Sequence, residues 1–141
     1  MKKIKKIMFP TDLSDVSEKV CSYAVLLAEK YGAKIDIIYV VQEPSNLIDL
    51  LSFDAMEEEC AKEADDKLNI FCNKHLKGKA DYKIHIRKGI PFKEIKKAAE
   101  ELGSDIIVMG THGRTGLDHA LLGSTAERLV RMLPIPVLTV R

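Results

Sequence analysis

The chain has 141 residues, 46% of them hydrophobic and 30% charged, with a formal net charge of +1. That is the length of one domain, able to bury roughly 68% of its unfolded surface in a core that needs no disulfides. The balanced charge gives no bulk drive toward nucleic acid or an anionic membrane, and no stretch approaches the roughly 20 apolar residues of a membrane span. Partners must come from local sites.

The first ten residues carry Lys2, Lys3, Lys5 and Lys6, yet their apolar run is only Ile7-Met8-Phe9 before Pro10 and Asp12. That is not an export signal, and a cytoplasmic location is expected. Without interleaved aromatics the lysines read as a solvated face, not a nucleic-acid contact. The cysteines, Cys21, Cys60 and Cys72, are odd in number and form no C-x-x-C, which suggests neither a disulfide framework nor a zinc knuckle. They read as packing residues.

Ile4, Ile7, Met8 and Phe9 mark a first strand. Asp12 through Ser17 supply capping residues for a helix with an apolar stripe of Val16, Val20, Ala24, Leu27 and Tyr31, ended by Gly32. Residues 34–41 form a second strand, apolar enough for burial on both faces. After a loop containing Pro44, a long charged helix over about 50–76 repeats Phe53, Met56, Cys60, Ala64, Leu68 and Phe71 at three and four. Residues 79–87 alternate, as a half-exposed edge strand does. Pro91 starts the next helix, with Phe92, Ile95, Ala99 and Leu102 as its stripe and Gly103 as its stop. Residues 106–109 are a wholly apolar central strand. A last helix from about Ser124 to Met132 buries Leu129, Val130 and Leu133, and residues 134–140 close the chain as a strand.

This alternation of strand and helix implies an α/β fold: a single domain over 1–141 with a doubly wound, five-stranded parallel sheet and helices on both faces. With strand order 3-2-1-4-5, the ligand crevice lies between strands one and four, beyond their carboxyl ends. Pro10-Thr11-Asp12 would border it on one side and Met109-Gly110 on the other.

A glycine-rich loop follows the fourth strand directly, in the run Asp105-Ile-Ile-Val-Met-Gly110-Thr-His-Gly113-Arg-Thr-Gly116, and Leu122-Gly123-Ser124-Thr125 comes after it. Glycine lets backbone N–H groups approach a phosphate, most readily at positive φ. Ser124 opens a capping-box pattern with Glu127, which makes it the expected N-cap of the last helix. The N–H donors and partial positive charge of that helix end favour a phosphate against Gly123 and Ser124. Arg114 is placed to neutralise a phosphate or to sit in solvent. Gly110 and Gly113 could also serve only a tight turn, Ser124 only a cap, and Asp12 only the first helix. His112 and His119, seven apart, have no acidic or cysteine cluster to complete a metal site, and Cys72 and His75 read as packing on a helix. The P-loop pattern fails for want of its lysine, and there is no G-x-G-x-x-G after the first strand.

Gly110, Gly113, Gly123 and Ser124 stand in a G-x2-G-x9-G-S pattern. With Pro10-Thr11-Asp12 after the first strand and Pro134-Ile-Pro136-Val-Leu-Thr-Val140 at the end, the chain resembles the ATP-binding form of the universal stress protein family over nearly its whole length. The Ser-Gly-Gly loop of the related adenylating enzymes is missing. The resemblance implies an adenine nucleotide alpha-hydrolase-like domain binding ATP or another adenine nucleotide. Asp12 would lie near the adenine beside Pro10 and Thr11, Val40 would offer backbone to the base, and Met109 would line the pocket. Gly110, Gly113, Gly123, Ser124 and Thr125 would hold ribose and phosphates. It also implies a homodimer through the C-terminal strand, an edge strand with open N–H and C=O groups.

The expected function is a nucleotide-dependent regulatory or stress-response module with an unidentified protein partner. No general-base constellation accompanies the loop, so hydrolysis is expected to be slow at most, with any Mg2+ held mainly by the phosphates. The competing expectations are a nucleotide-independent dimeric interaction module and a genuine ATPase or phosphotransferase using the same pocket.

Overall fold

The structure is a computed structural model that describes residues 2–42, 47–112 and 122–141, with the backbone alone for 47–57. Nine elements follow one another: β1 (Lys6–Pro10), α1 (Ser17–Tyr31), β2 (Lys34–Gln42), α2 (Leu47–His75), β3 (Tyr82–Gly89), α3 (Pro91–Leu102), β4 (Ile106–Gly110), α4 (Ser124–Met132) and β5 (Val137–Val140). The strands form one sheet in the order β3-β2-β1-β4-β5. Every pairing is parallel. The α/β fold and the strand order expected of the sequence are both found.

The alternation of side chains along each strand divides the core in two. Ile7, Phe9, Ile35, Ile37 and Val108 face α1 and α2, where they meet Val20, Ala24, Leu68 and Cys72. Met8, Ile38, Ile107 and Met109 face the other way and pack with Ile95, Ala99, Ala126 and Leu129 of α3 and α4. Leu68, Ile107 and Leu129 are fully buried, so truncating any of them to alanine is expected to cost about 2–5 kcal/mol.

Glycine ends two helices as expected. Gly32 and Gly103 adopt φ of 65° and 66° after α1 and α3, a left-handed conformation that a Cβ would penalise. Helix faces were less legible. Tyr31 is 50% exposed and the inward face of α1 is Val20, Cys21, Ala24, Val25 and Ala28; in α4, Val130 is 49% exposed and Ala126 is buried in its place. An aromatic or β-branched residue at stripe spacing fits the edge of a helix face as well as its centre.

At the opposite end of the sheet from the crevice, Asp105 ties β1 to β4. Its Oδ2 accepts the N–H groups of Lys5 and Lys6 at 2.9 and 3.0 Å, and its own N–H donates to the Lys6 carbonyl at 2.9 Å. On the edge next to β2, Asp36 and His85 meet at 2.8 Å, so His85 has a partner in the sheet and is not on a solvated face.

Candidate functional site

The sheet parts between β1 and β4, and Pro10 is the local cause. Thr11 donates its N–H to Ile38 of β2, so Pro10, one residue earlier, faces β4. Proline has no N–H to continue that ladder. The β1–β4 pairing accordingly stops at Met8↔Ile107, although β1 continues beside β2 to Pro10↔Ile38. The opening lies where strand order reverses, which is where open α/β sheets hold ligands.

A cavity of about 410 Å³ occupies the opening, within the usual range for small-molecule sites. Pro10, Thr11, Asp12, Val40, Met109, Gly110, Gly123, Ser124 and Thr125 all line it. Of the residues expected at the site, Gly113 and Arg114 lie outside the described residues. So do Gly116 and His119.

The β1 side is a compact turn. The Thr11 hydroxyl accepts the Leu13 N–H at 3.0 Å and bonds to the Ser17 hydroxyl at 2.9 Å. Asp12 Oδ1 accepts the Ser14 N–H at 2.9 Å, an Asx turn that precedes α1 and does not cap it. Between them Leu13 has φ of 59°, a left-handed conformation costing a non-glycine residue about 1–2 kcal/mol. Its side chain packs on the α1–α2 core, which offsets that strain.

Val40 gains its place from the length of β2. The Ile38 carbonyl reaches Thr11, so the N–H and C=O of Val40, two residues on, point to the same side. There β1 has ended and the cavity begins. Main-chain donor and acceptor thus face the crevice together, while Val40 keeps its register with Arg87 on β3.

The far side is the start of α4. Its first intrahelical bond runs from the Glu127 N–H to the Gly123 carbonyl at 2.9 Å. The N–H groups of Ser124, Thr125 and Ala126 come before that bond, as the opening donors of a helix do, and all three residues line the cavity. Ser124 is the first helical residue and not the cap: Gly123 stands at the cap with φ of −60° and ψ of 154°. The helix has the expected bounds, but the cap is one residue earlier than the capping box suggests, because Ser-x-x-Glu fits equally when the serine is the first helical residue.

Neither described glycine of the motif has a positive φ, and Gly123 serves close approach. Gly123 donates its N–H to the Thr111 carbonyl at 2.6 Å, and a Cβ on Gly123 would stand 2.6 Å from the same oxygen. A Cβ on Gly110 would come within 3.4 Å of the His112 carbonyl and the Val16 side chain. Gly123 thus lets the segment after β4 nest against the start of α4, whereas the space at Gly110 would take a Cβ at ordinary contact distance. Thr111 is buried there, its hydroxyl 2.9 Å from His112 Nδ1.

Sequence reading missed the α3 side of the cavity. Ile90, Pro91 and Phe92 line it, and so does Arg128, one turn into α4. The Arg128 guanidinium lies 4.8 Å from the centroid of the Phe92 ring. Phe92 was visible only as part of an apolar stripe, and the α3–α4 packing that joins it to Arg128 leaves no local signal. Among the described lining residues, Asp12 and Arg128 are the carboxylate and the guanidinium, one after β1 and the other on α4. Among the described residues no group of three or more His, Cys, Asp or Glu could hold a metal ion.

A parallel sheet with this order, a crevice bordered by Pro10-Thr11-Asp12 and a glycine-serine start of the last helix define a doubly wound α/β protein with its cavity at the point where strand order reverses. The sequence profile of the Universal stress protein family matches residues 3–141, and the chain belongs to that family. It is 39% identical to universal stress protein MJ0531 of Methanocaldococcus jannaschii, covering 97% of this chain and 82% of the relative. The solved structure of MJ0577, also of M. jannaschii, superposes with a TM-score of 0.85 at 31% identity, over 99% of this chain and 96% of that one. At 19% identity, where the likeness is one of fold alone, the Archaeoglobus fulgidus universal stress protein in complex with dAMP superposes with a TM-score of 0.68 over the full length of both chains.

Proposed function

We propose that this universal stress protein binds ATP, or another adenine nucleotide, in the crevice between β1 and β4. The supporting observation is the pairing of two main-chain features across one cavity. The Val40 N–H and C=O face it from β2, and the opening N–H groups of α4 face it from the other side. The first pair matches the donor and acceptor edge of an adenine, with Asp12 beside the base. The second suits phosphates, which helix N-termini favour. Ser124 and Thr125 add hydroxyls there, and Met109 forms an apolar wall. Gly113 and Arg114 complete the site in this reading. Mg2+ would be held mainly by the phosphates, as that ion often is.

In this reading the protein is a cytoplasmic binder whose nucleotide occupancy switches an interaction surface in a stress response, with hydrolysis slow at most. Among the described lining residues, Asp12 is the carboxylate, and this reading sets it beside the base. That is the wrong end to orient a water toward the outermost phosphate. A homodimer through β5 belongs to the same reading, since β5 is an edge of the sheet with Leu138 exposed on it. No nucleic-acid or membrane partner is invoked, and among the described residues no helix is long and apolar enough to cross a membrane.

The test is to denature freshly purified protein, identify any released nucleotide by mass spectrometry, and titrate the emptied protein with ATP, ADP and AMP. Stoichiometric adenine nucleotide with one site per chain is expected. No released nucleotide and no heat of binding at millimolar ATP would overturn the reading and favour the nucleotide-independent module.

A further inference from the structure

Arg128 leaves α4 four residues after Ser124, on the same helix face and about 6 Å further along the axis. Helical side chains lean back toward the N-terminus, so its guanidinium is carried toward the turn that opens the cavity. Arg128 is an exposed residue with an aromatic neighbour. The Phe92 ring at the start of α3 lies beneath it, 4.8 Å from centroid to guanidinium carbon, in the range of a cation–π contact. The adjacent carboxylate does not compete, because Glu127 pairs with Arg131 at 2.9 Å. Both Arg128 and Phe92 line the cavity, and Arg128 is the cation among its described lining residues.

We propose that Arg128, held on the Phe92 ring, contacts the outer phosphates of the bound nucleotide and so makes this pocket prefer a nucleoside triphosphate to a monophosphate. The inference rests on the adenine-nucleotide reading above and adds the specificity within it. The first-turn N–H groups of α4 meet the phosphate nearest the ribose, which every adenine nucleotide carries. A cation one turn further along meets only the phosphates that ADP and ATP add. A guanidinium presents its donors in a planar fork matched to phosphate oxygens. Stacking on Phe92 restricts its rotamers before the ligand arrives, which makes Phe92 a positioning residue.

The experiment is calorimetric titration of the purified chain with ATP, ADP and AMP, comparing wild type with R128M, R128Q, R128K, F92L and F92Y. R128M and R128Q are expected to weaken ATP about 10- to 30-fold, the scale of one charge-assisted hydrogen bond, while AMP affinity stays within about twofold. R128K keeps the charge and retains part of the preference. F92L lowers the ATP-to-AMP ratio and F92Y, which keeps the ring, restores it; a structural role for Phe92 would weaken both nucleotides alike. Equal losses for ATP and AMP in R128M and R128Q, or no loss in either, would overturn the proposal and leave the nucleotide site standing. A wild-type chain that binds none of the three would overturn both.

Discussion

The Gly123 N–H meets the Thr111 carbonyl at 2.6 Å, and the same oxygen occupies the space into which a Cβ on Gly123 would project. This one contact fixes the start of α4 against the segment leaving β4. It makes Gly123 a requirement of the fold before it is a requirement of any ligand. Gly123→Ala is therefore expected to destabilise the protein by about 1–3 kcal/mol, the cost of forcing atoms into a packed site, read as a lower urea midpoint with unchanged slope. An unchanged midpoint would show that the junction can open without cost.

Ser124 separates binding from folding. It is exposed at the first position of α4 and no cap bond depends on it. Ser124→Ala is expected to leave the urea midpoint within about 0.5 kcal/mol of wild type and to weaken ATP by about 3- to 10-fold, one neutral hydrogen bond. Full ATP affinity in a folded Ser124→Ala chain would remove that hydroxyl from the site.

Val40 offers its main chain to the crevice, so a side-chain change is the wrong probe. Val40→Pro removes the N–H that faces the cavity and leaves the side of β2 paired to β3 intact. Circular dichroism should be preserved while adenine-nucleotide affinity falls at least about tenfold. Retention of affinity would move the base elsewhere in the cavity.

The buried thiols predict an alkaline limit. Burial, reinforced by its neighbour Cys72, pushes the Cys21 thiol up to about 12, and burial pushes Cys72 up to about 11. Both are raised above the value of an unfolded chain, so their contribution is fully present below pH of about 8.5 and is lost as pH rises toward the folded values. Stability should fall from about pH 9 upward, and Cys21→Ser with Cys72→Ala should flatten that limb. At neutral pH a thiol reagent should label the half-buried Cys60 and spare the other two until the chain unfolds.

Asp105 predicts the acid side. The N–H groups of Lys5 and Lys6 and the charge of Lys2 hold its carboxyl below the usual carboxylate range, against a smaller opposing effect of burial. A depressed folded value means stability present above the unfolded pKa of about 3.9 and lost as pH falls below it through the folded value. Asp105→Asn should cost about 1–2 kcal/mol at pH 7, and that difference should shrink as pH falls below the unfolded value. Parallel wild-type and variant curves across that range would contradict the assignment.

Much of the fold was legible because its signals are local. Gly32 and Gly103 mark helix ends through their own backbone freedom, Pro91 marks a helix start, and the alternation over β3 predicts an edge strand. Pro10 was legible as a boundary, but not as the missing donor that stops the β1–β4 ladder. Tyr31 and Val130 fit the apolar stripes of their helices yet are exposed, because periodicity says which residues share a helix face, not how far the neighbouring layer extends over it. Ser124 matches a cap motif that tolerates a shift of one residue, and Gly123 holds the cap.

The sequence by itself determined the order of strands and helices, the parallel sheet and the family, because period, helix stops and motif spacing are properties of neighbouring residues. Tertiary structure alone decided that the Val40 main chain faces an opening, that Gly123 is held by the Thr111 carbonyl, and that Arg128 rests on Phe92. Those contacts join segments distant in the chain, and their geometry follows from where β1 ends and how α3 and α4 pack on one face of the sheet.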